Sequence, residues 1–178
     1  MFVTPFPYRE VCKRPVGKDG IHYEHVYSFH GKSQKRYIVQ LQQYDNYVYA
    51  VKFYLQEKKN DCHKYEYLSN LNECSRVITT VGFIVRAFYR EKDAYASFGF
   101  IGSNLMGEER NNTKRFRLYF NIISQLISPI DFELRYSIRN SICLLLNRNN
   151  TEPNLIDKIS ATFMSLYDFL PDRISVHR

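Results

Sequence analysis

Tyr47, Tyr49, Val51, Phe53 and Leu55 occupy every second position of one stretch, the cleanest alternation in the chain. Strand side chains point alternately to two faces, so this run is a half-buried strand and requires a sheet with a core against one side. Upstream, Tyr23, Tyr27 and Phe29 share one parity over 22–29, and Tyr37, Val39 and Leu41 repeat it over 36–44. Tyr44-Asp45-Asn46-Tyr47 supplies turn chemistry between the last two runs. The polar stretch 56–64 reads as a loop, and Tyr65-Glu66-Tyr67-Leu68-Ser69 as a short returning strand. Residues 21–70 are thus expected to form an antiparallel meander of about four strands, preceded by an extended arm over residues 1–20.

The period then changes. Val77, Val81, Ile84 or Val85 and Phe88 recur at helical spacing, which predicts an amphipathic helix over 73–91. Gly82 lies inside it at a cost of about 1 kcal/mol relative to alanine, so a close backbone approach, to the sheet, is expected there. Residues 96–101 read as a short apolar strand. A second helix is expected from an N-cap near Asn112, burying Phe116, Tyr119, Phe120 and Ile123 and ending at Ser128-Pro129. A hairpin over 132–136 and 141–146 follows. A third helix, introduced by Thr151-Glu152-Pro153, carries Leu155, Ile159, Phe163 and Leu166. The reading is one α+β domain over residues 1–178, a meander followed by α-β-α-β-β-α, with helices packed on a mainly antiparallel twisted sheet. Its mixed half spans 71–170 and its tail 171–178.

With 44% apolar and 16% aromatic residues, the chain carries enough core-forming side chains to exclude disorder. It lacks the ~18-residue apolar run of a membrane span and a signal-like N-terminus, so a cytoplasmic location is expected. Its 25 basic and 18 acidic residues give a formal charge of +7, which points to polyanionic partners. Cys12, Cys62, Cys74 and Cys143 form no Cys-x-x-Cys pair, so reduced thiols, mostly buried, are expected. Cys62, His63 and Cys74 lack the fourth ligand and paired spacing of a structural zinc site. No metal or other cofactor is expected.

The segment from Ser103 to Arg117 carries the densest positive charge. At 100° per residue Arg110, Lys114 and Arg117 fall within about 60° of one another, opposite the apolar face of the second predicted helix. Backbone N–H groups at the helix start, the hydroxyls of Ser103 and Thr113, and Arg110, Lys114, Arg115 and Arg117 together form a candidate anion site. Lys35 and Arg36 are a secondary basic patch. Cations in a first turn oppose the helix dipole by 0.3–1 kcal/mol each, roughly, so they call for a bound anion or an acidic neighbour such as Glu108 or Glu109.

Catalytic signatures are missing. The loop after the 96–101 strand is no P-loop, and no histidine lies in a recognised nucleophile context. A meander followed by alternating helices and strands also describes ribonuclease-H-like nucleases, but Glu24, Glu73 and Glu91 do not supply their strand-end carboxylates. Basic residues interleave with rings in Lys52-Phe53-Tyr54 and Lys35-Arg36-Tyr37, as on single-stranded nucleic-acid platforms, although most rings are expected in the core.

The tyrosine-rich strand and hairpin ending in Tyr65-Glu66-Tyr67-Leu68-Ser69-Asn70, the run Val77-Ile78-Thr79-Thr80-Val81-Gly82-Phe83-Ile84-Val85, and Phe98-Gly99-Phe100-Ile101-Gly102-Ser103 leading to Thr113-Lys114-Arg115-Phe116-Arg117-Leu118-Tyr119 together resemble a family of small bacterial proteins known as a domain of unknown function. The resemblance covers residues 22–146 and implies a single domain, with no reaction, ligand or site residues. The expectation from the residues themselves is a non-catalytic binding domain for an anionic partner, nucleic acid foremost. The alternatives are an accessory module meeting an acidic protein, and an enzyme acting on a phosphorylated small molecule.

Overall fold

A computed structural model describes residues 3–67, 73–103, 108–109 and 111–167. Along the chain run β1 (Tyr8–Lys18), β2 (Ile21–His30), β3 (Arg36–Tyr44), β4 (Val48–Leu55), α1 (Cys74–Glu91), β5 (Ser97–Ile101), α2 (Lys114–Leu126), β6 (Phe132–Ser137), β7 (Ile142–Asn147) and α3 (Leu155–Leu166). The strands form one sheet in the order β1-β2-β3-β4-β5-β7-β6. Every neighbouring pair is antiparallel except β4 and β5, which run parallel across the α1 connection. The fold is mixed α/β and begins with the expected antiparallel meander.

Strand parity sorts side chains onto two faces. Tyr27, Phe29, Val39, Leu41, Tyr49 and Val51 face α1 and α2 in the larger core. Val48, Ala50, Ile142, Leu144 and Leu146 face α3 in the smaller one. Ile84 and Val85 of α1 are fully buried, and each such side chain contributes about 1.5–3 kcal/mol. The close approach expected at Gly82 is made to a helix and not to the sheet: a Cβ there would lie 2.7 Å from Leu126 Cδ1 of α2.

Two segments differ from their sequence reading. The expected arm contains β1, an edge strand paired with β2 along nearly its whole length. Every residue from Arg9 to Lys18 is exposed, so neither face carries apolar alternation and no periodic signal exists to read. Pro15 and two register shifts fit an edge strand, which needs no unbroken ladder. Asp19 and Gly20, both at positive φ, make the tight turn into β2. Conversely, Tyr65 and Glu66 lie in turns and Tyr67 is irregular, none of them in a strand, while Leu68 and Ser69 fall outside the described residues. The meander therefore has its four strands, displaced one strand toward the N-terminus.

The helix starts are also shifted. Thr113, not Asn112, caps α2, its Oγ1 accepting from Phe116 N at 3.1 Å; Asn112 takes a positive φ just before it. Asn154, in the left-handed region, precedes α3. Among the described residues no helix is long and apolar enough to cross a membrane.

Candidate anion-binding cleft

The parallel pairing of β4 and β5 covers Val48–Ala50 against Ser97–Gly99 and then stops. Beyond that point β4 continues beside β3 and β5 continues beside β7, leaving a gap at the carboxyl ends of the parallel pair. Crevices at such ends are where α/β sheets hold ligands. The gap is a cleft of about 130 Å³, with Lys52 on one wall and Ser103 on the other. Tyr119 of α2 closes one face, Phe163 and Tyr167 close the other, and Tyr65 leans in from the 56–67 segment. Gly99 forms part of the floor because any Cβ there would overlap the Phe163 ring.

Lys52 is the cleft's charged group. Its Nζ stands 5.7 Å from the Tyr65 ring centroid and 5.6 Å from that of Tyr167. Among the described residues no carboxylate lies within ion-pair distance of it. Burial lowers its pKa below the ordinary lysine value, with the Glu24 charge opposing. Burial also raises the phenols of Tyr65 and Tyr119 and pushes Tyr167 up to about 12, so all three walls are neutral hydroxyls at pH 7.

A buried polar network fixes Tyr65. Its hydroxyl donates to Gln40 Oε1 at 3.0 Å, and Gln40 Nε2 donates to Glu24 Oε1 at 2.8 Å. Gln42 Nε2 donates to the same oxygen at 2.9 Å, and Arg14 Nε meets Oε2 at 2.8 Å. Arg115 donates through Nη1 to the Tyr65 carbonyl and is itself buried. Its Nε has no acceptor among the described residues.

Outside the cleft, rings and ammonium groups alternate. Lys64 Nζ lies 5.1 Å from the Tyr65 centroid and 4.8 Å from that of Tyr54, and Lys58 Nζ lies 4.5 Å from that of Tyr67. A cation held by a ring quadrupole gains about 0.5–1 kcal/mol at an exposed site and keeps its full charge, whereas a carboxylate would neutralise it. Neither Lys58 nor Lys64 is ion-paired among the described residues.

The residues singled out from sequence are divided. Ser103 lines the cleft and Arg115 anchors its wall. Thr113 is fully buried, its hydroxyl donating to Gly102 O at 2.9 Å while its own N–H donates to Ser141. Lys114 and Arg117 are exposed on α2, but the Lys114 N–H donates to Glu108 Oε1 at 2.8 Å and Arg117 donates to Asn112 O. Two first-turn backbone donors, Lys114 N and Phe116 N, are thus already engaged, and Glu108 is the acidic neighbour the helix dipole called for. Arg110 lies outside the described residues. In the secondary patch, Lys35 pairs with Glu57 at 2.8 Å and Arg36 donates to Ser28 at 3.3 Å.

Glu24 and Gln40 escaped sequence reasoning as site residues, and Lys52 entered it only through the Lys52-Phe53-Tyr54 interleaving. A signal existed: Gln40 and Gln42 alternate with Val39 and Leu41 in what became a central strand, where polar side chains need partners. Among the described residues no His, Cys, Asp and Glu side chains cluster as metal ligands. Cys143 is buried and Cys74 partly so, whereas Cys12 and Cys62 are exposed, contrary to the expectation of mostly buried thiols. Comparison with protein-family models, curated proteins and solved structures finds no match to this chain.

Proposed function

We propose that the protein is a non-catalytic binding domain for an anionic partner, single-stranded nucleic acid, bound on the face where Lys58 and Lys64 stand over Tyr54, Tyr65 and Tyr67. The carrying observation is that these ammonium groups rest on rings and not on carboxylates. They keep charge for phosphates, and Tyr67, 41% exposed, offers surface for a base. The α2 face favoured by charge density alone has spent two of its first-turn donors on Glu108 and Thr113, which weakens it as a competitor.

The test is fluorescence anisotropy with single-stranded DNA, single-stranded RNA and duplex DNA across a salt series. Single strands should bind at low ionic strength with a log–log salt slope of about −0.7 per phosphate neutralised. The double variant Lys58→Glu and Lys64→Glu should flatten that slope by about 1.4. A larger loss from Lys114→Glu with Arg117→Glu would move the interface to α2, and no binding of any nucleic acid at low salt would end the proposal.

A further inference from the structure

Two cations meet at Tyr65, the half-buried Lys52, which lines the cleft, and the buried Arg115, which does not. Lys52 faces its ring from the cleft, and Arg115 holds its carbonyl from behind. Among the described residues neither has a carboxylate within ion-pair distance, and the nearby Glu24 is already engaged by Arg14, Gln40 and Gln42. An ammonium group that is half-buried, seated on rings and without a carboxylate at ion-pair distance gains when an anion enters beside it.

The cleft selects the anion. Pairing of β4 with β5 closes its floor, and Tyr119 and Phe163 close its two faces, so a strand cannot thread through it. At about 130 Å³ it is far smaller than the ~300 Å³ of a typical small-molecule pocket, so it takes a head group and leaves the rest of the ligand outside. A phosphomonoester carries about −1.5 to −2 at pH 7, so Lys52 attracts it more strongly than the single charge of a carboxylate or a backbone phosphodiester. The Ser103 hydroxyl offers a hydrogen-bond donor to its oxygens.

We infer that the β4–β5 cleft is a phosphomonoester site in which Lys52 and Ser103 receive a terminal phosphate, either the end of a strand lying on the Lys58 and Lys64 face or a free mononucleotide. The strand-end source rests on the function proposed above; the mononucleotide source does not.

The experiment compares short single strands carrying a 5′-phosphate, a 3′-phosphate or hydroxyl ends, together with a nucleoside 5′-monophosphate followed by calorimetry and thermal shift. For the strand source, a phosphorylated end should bind about tenfold more tightly than a hydroxyl end, and Lys52→Met should bring that ratio to about one. Ser103→Ala should reduce the ratio partially, giving a second variant that leaves the charge intact. Equal affinity for phosphate and hydroxyl ends, with no binding of the monophosphate, overturns the inference and leaves the proposed function standing. If no strand binds, the proposed function falls. The cleft assignment then stands only if the monophosphate binds and Lys52→Met abolishes it, and otherwise falls as well.

Discussion

Arg14 and Glu24 face one another across β1 and β2, with the guanidinium more than half exposed and the carboxylate buried. The asymmetry sets the energetics. Arg14→Met removes a partially solvated donor and leaves Glu24 to two amides, so it should cost about 1–3 kcal/mol. Glu24→Ala leaves Gln40 and Gln42 without their shared acceptor in a buried layer and should cost more, about 3–5 kcal/mol. Urea unfolding at neutral pH distinguishes them; two equal and small losses would mean that the network does not hold this face.

His25 makes stability depend on pH. It is buried edge-on against Phe88 at 4.8 Å, and its Nδ1 lies 3.8 Å from Glu10, beyond hydrogen-bond reach. Burial chiefly, and then the charge of Lys13, lowers its pKa below 6.5, while Glu10 opposes and Lys92 assists. The unfolded chain therefore binds the proton more readily. The stabilisation is fully present above about pH 6.5 and is lost as pH falls through that value toward the lowered folded pKa, by at most about 1.4 kcal/mol per pH unit. Melting temperature should fall between about pH 7.5 and 5.5, and His25→Leu should flatten that dependence.

Gly99 and Phe163 share one space. Gly99→Ala should destabilise by about 1–3 kcal/mol, because its methyl group overlaps the ring. Adding Phe163→Leu should return part of the loss, and a double-mutant cycle should read a coupling of about 0.5–3 kcal/mol. Additive effects would mean that the ring does not seat on the glycine.

Thr113 does two tasks with one hydroxyl, capping α2 and bonding Gly102 O. Thr113→Ala should cost about 1–2 kcal/mol by chemical denaturation, and Thr113→Ser should recover most of it. If serine behaves as alanine does, the methyl group and not the hydroxyl is what the site requires.

The sequence carried the fold where large apolar side chains recur on one face of an element and failed where neither face carries them. Tyr47 to Leu55 and Val77 to Phe88 announced β4 and α1 because their large apolar side chains recur with the period of the element, even though Val48 and Ala50 bury the other face of β4 as well. Nothing of the kind marks β1, whose two faces both meet solvent; the usable sign was the Asp19-Gly20 pair of a tight hairpin. Tyr65 to Tyr67 alternated as a strand does, yet Gln40, Asp61 and Arg115 draw that segment into turns through specific side-chain bonds. Charge density led to α2 for the same reason: a count of cations is visible in sequence, whereas the capping of the helix start by Glu108 and the seating of lysines on rings are visible only once distant segments meet.

The shortness of the β4–β5 pairing has a mechanical consequence. Three register pairs form the hem between a four-stranded half and a three-stranded half, and the fastening across it comes from the helices: α1 on one side, and α3 gripping both Ala50 and Leu144 on the other. The width of the gap is thus governed by helix packing and not by strand ladders. Substitutions that loosen those helices will change how firmly an occupant is gripped without touching any charge that attracts it.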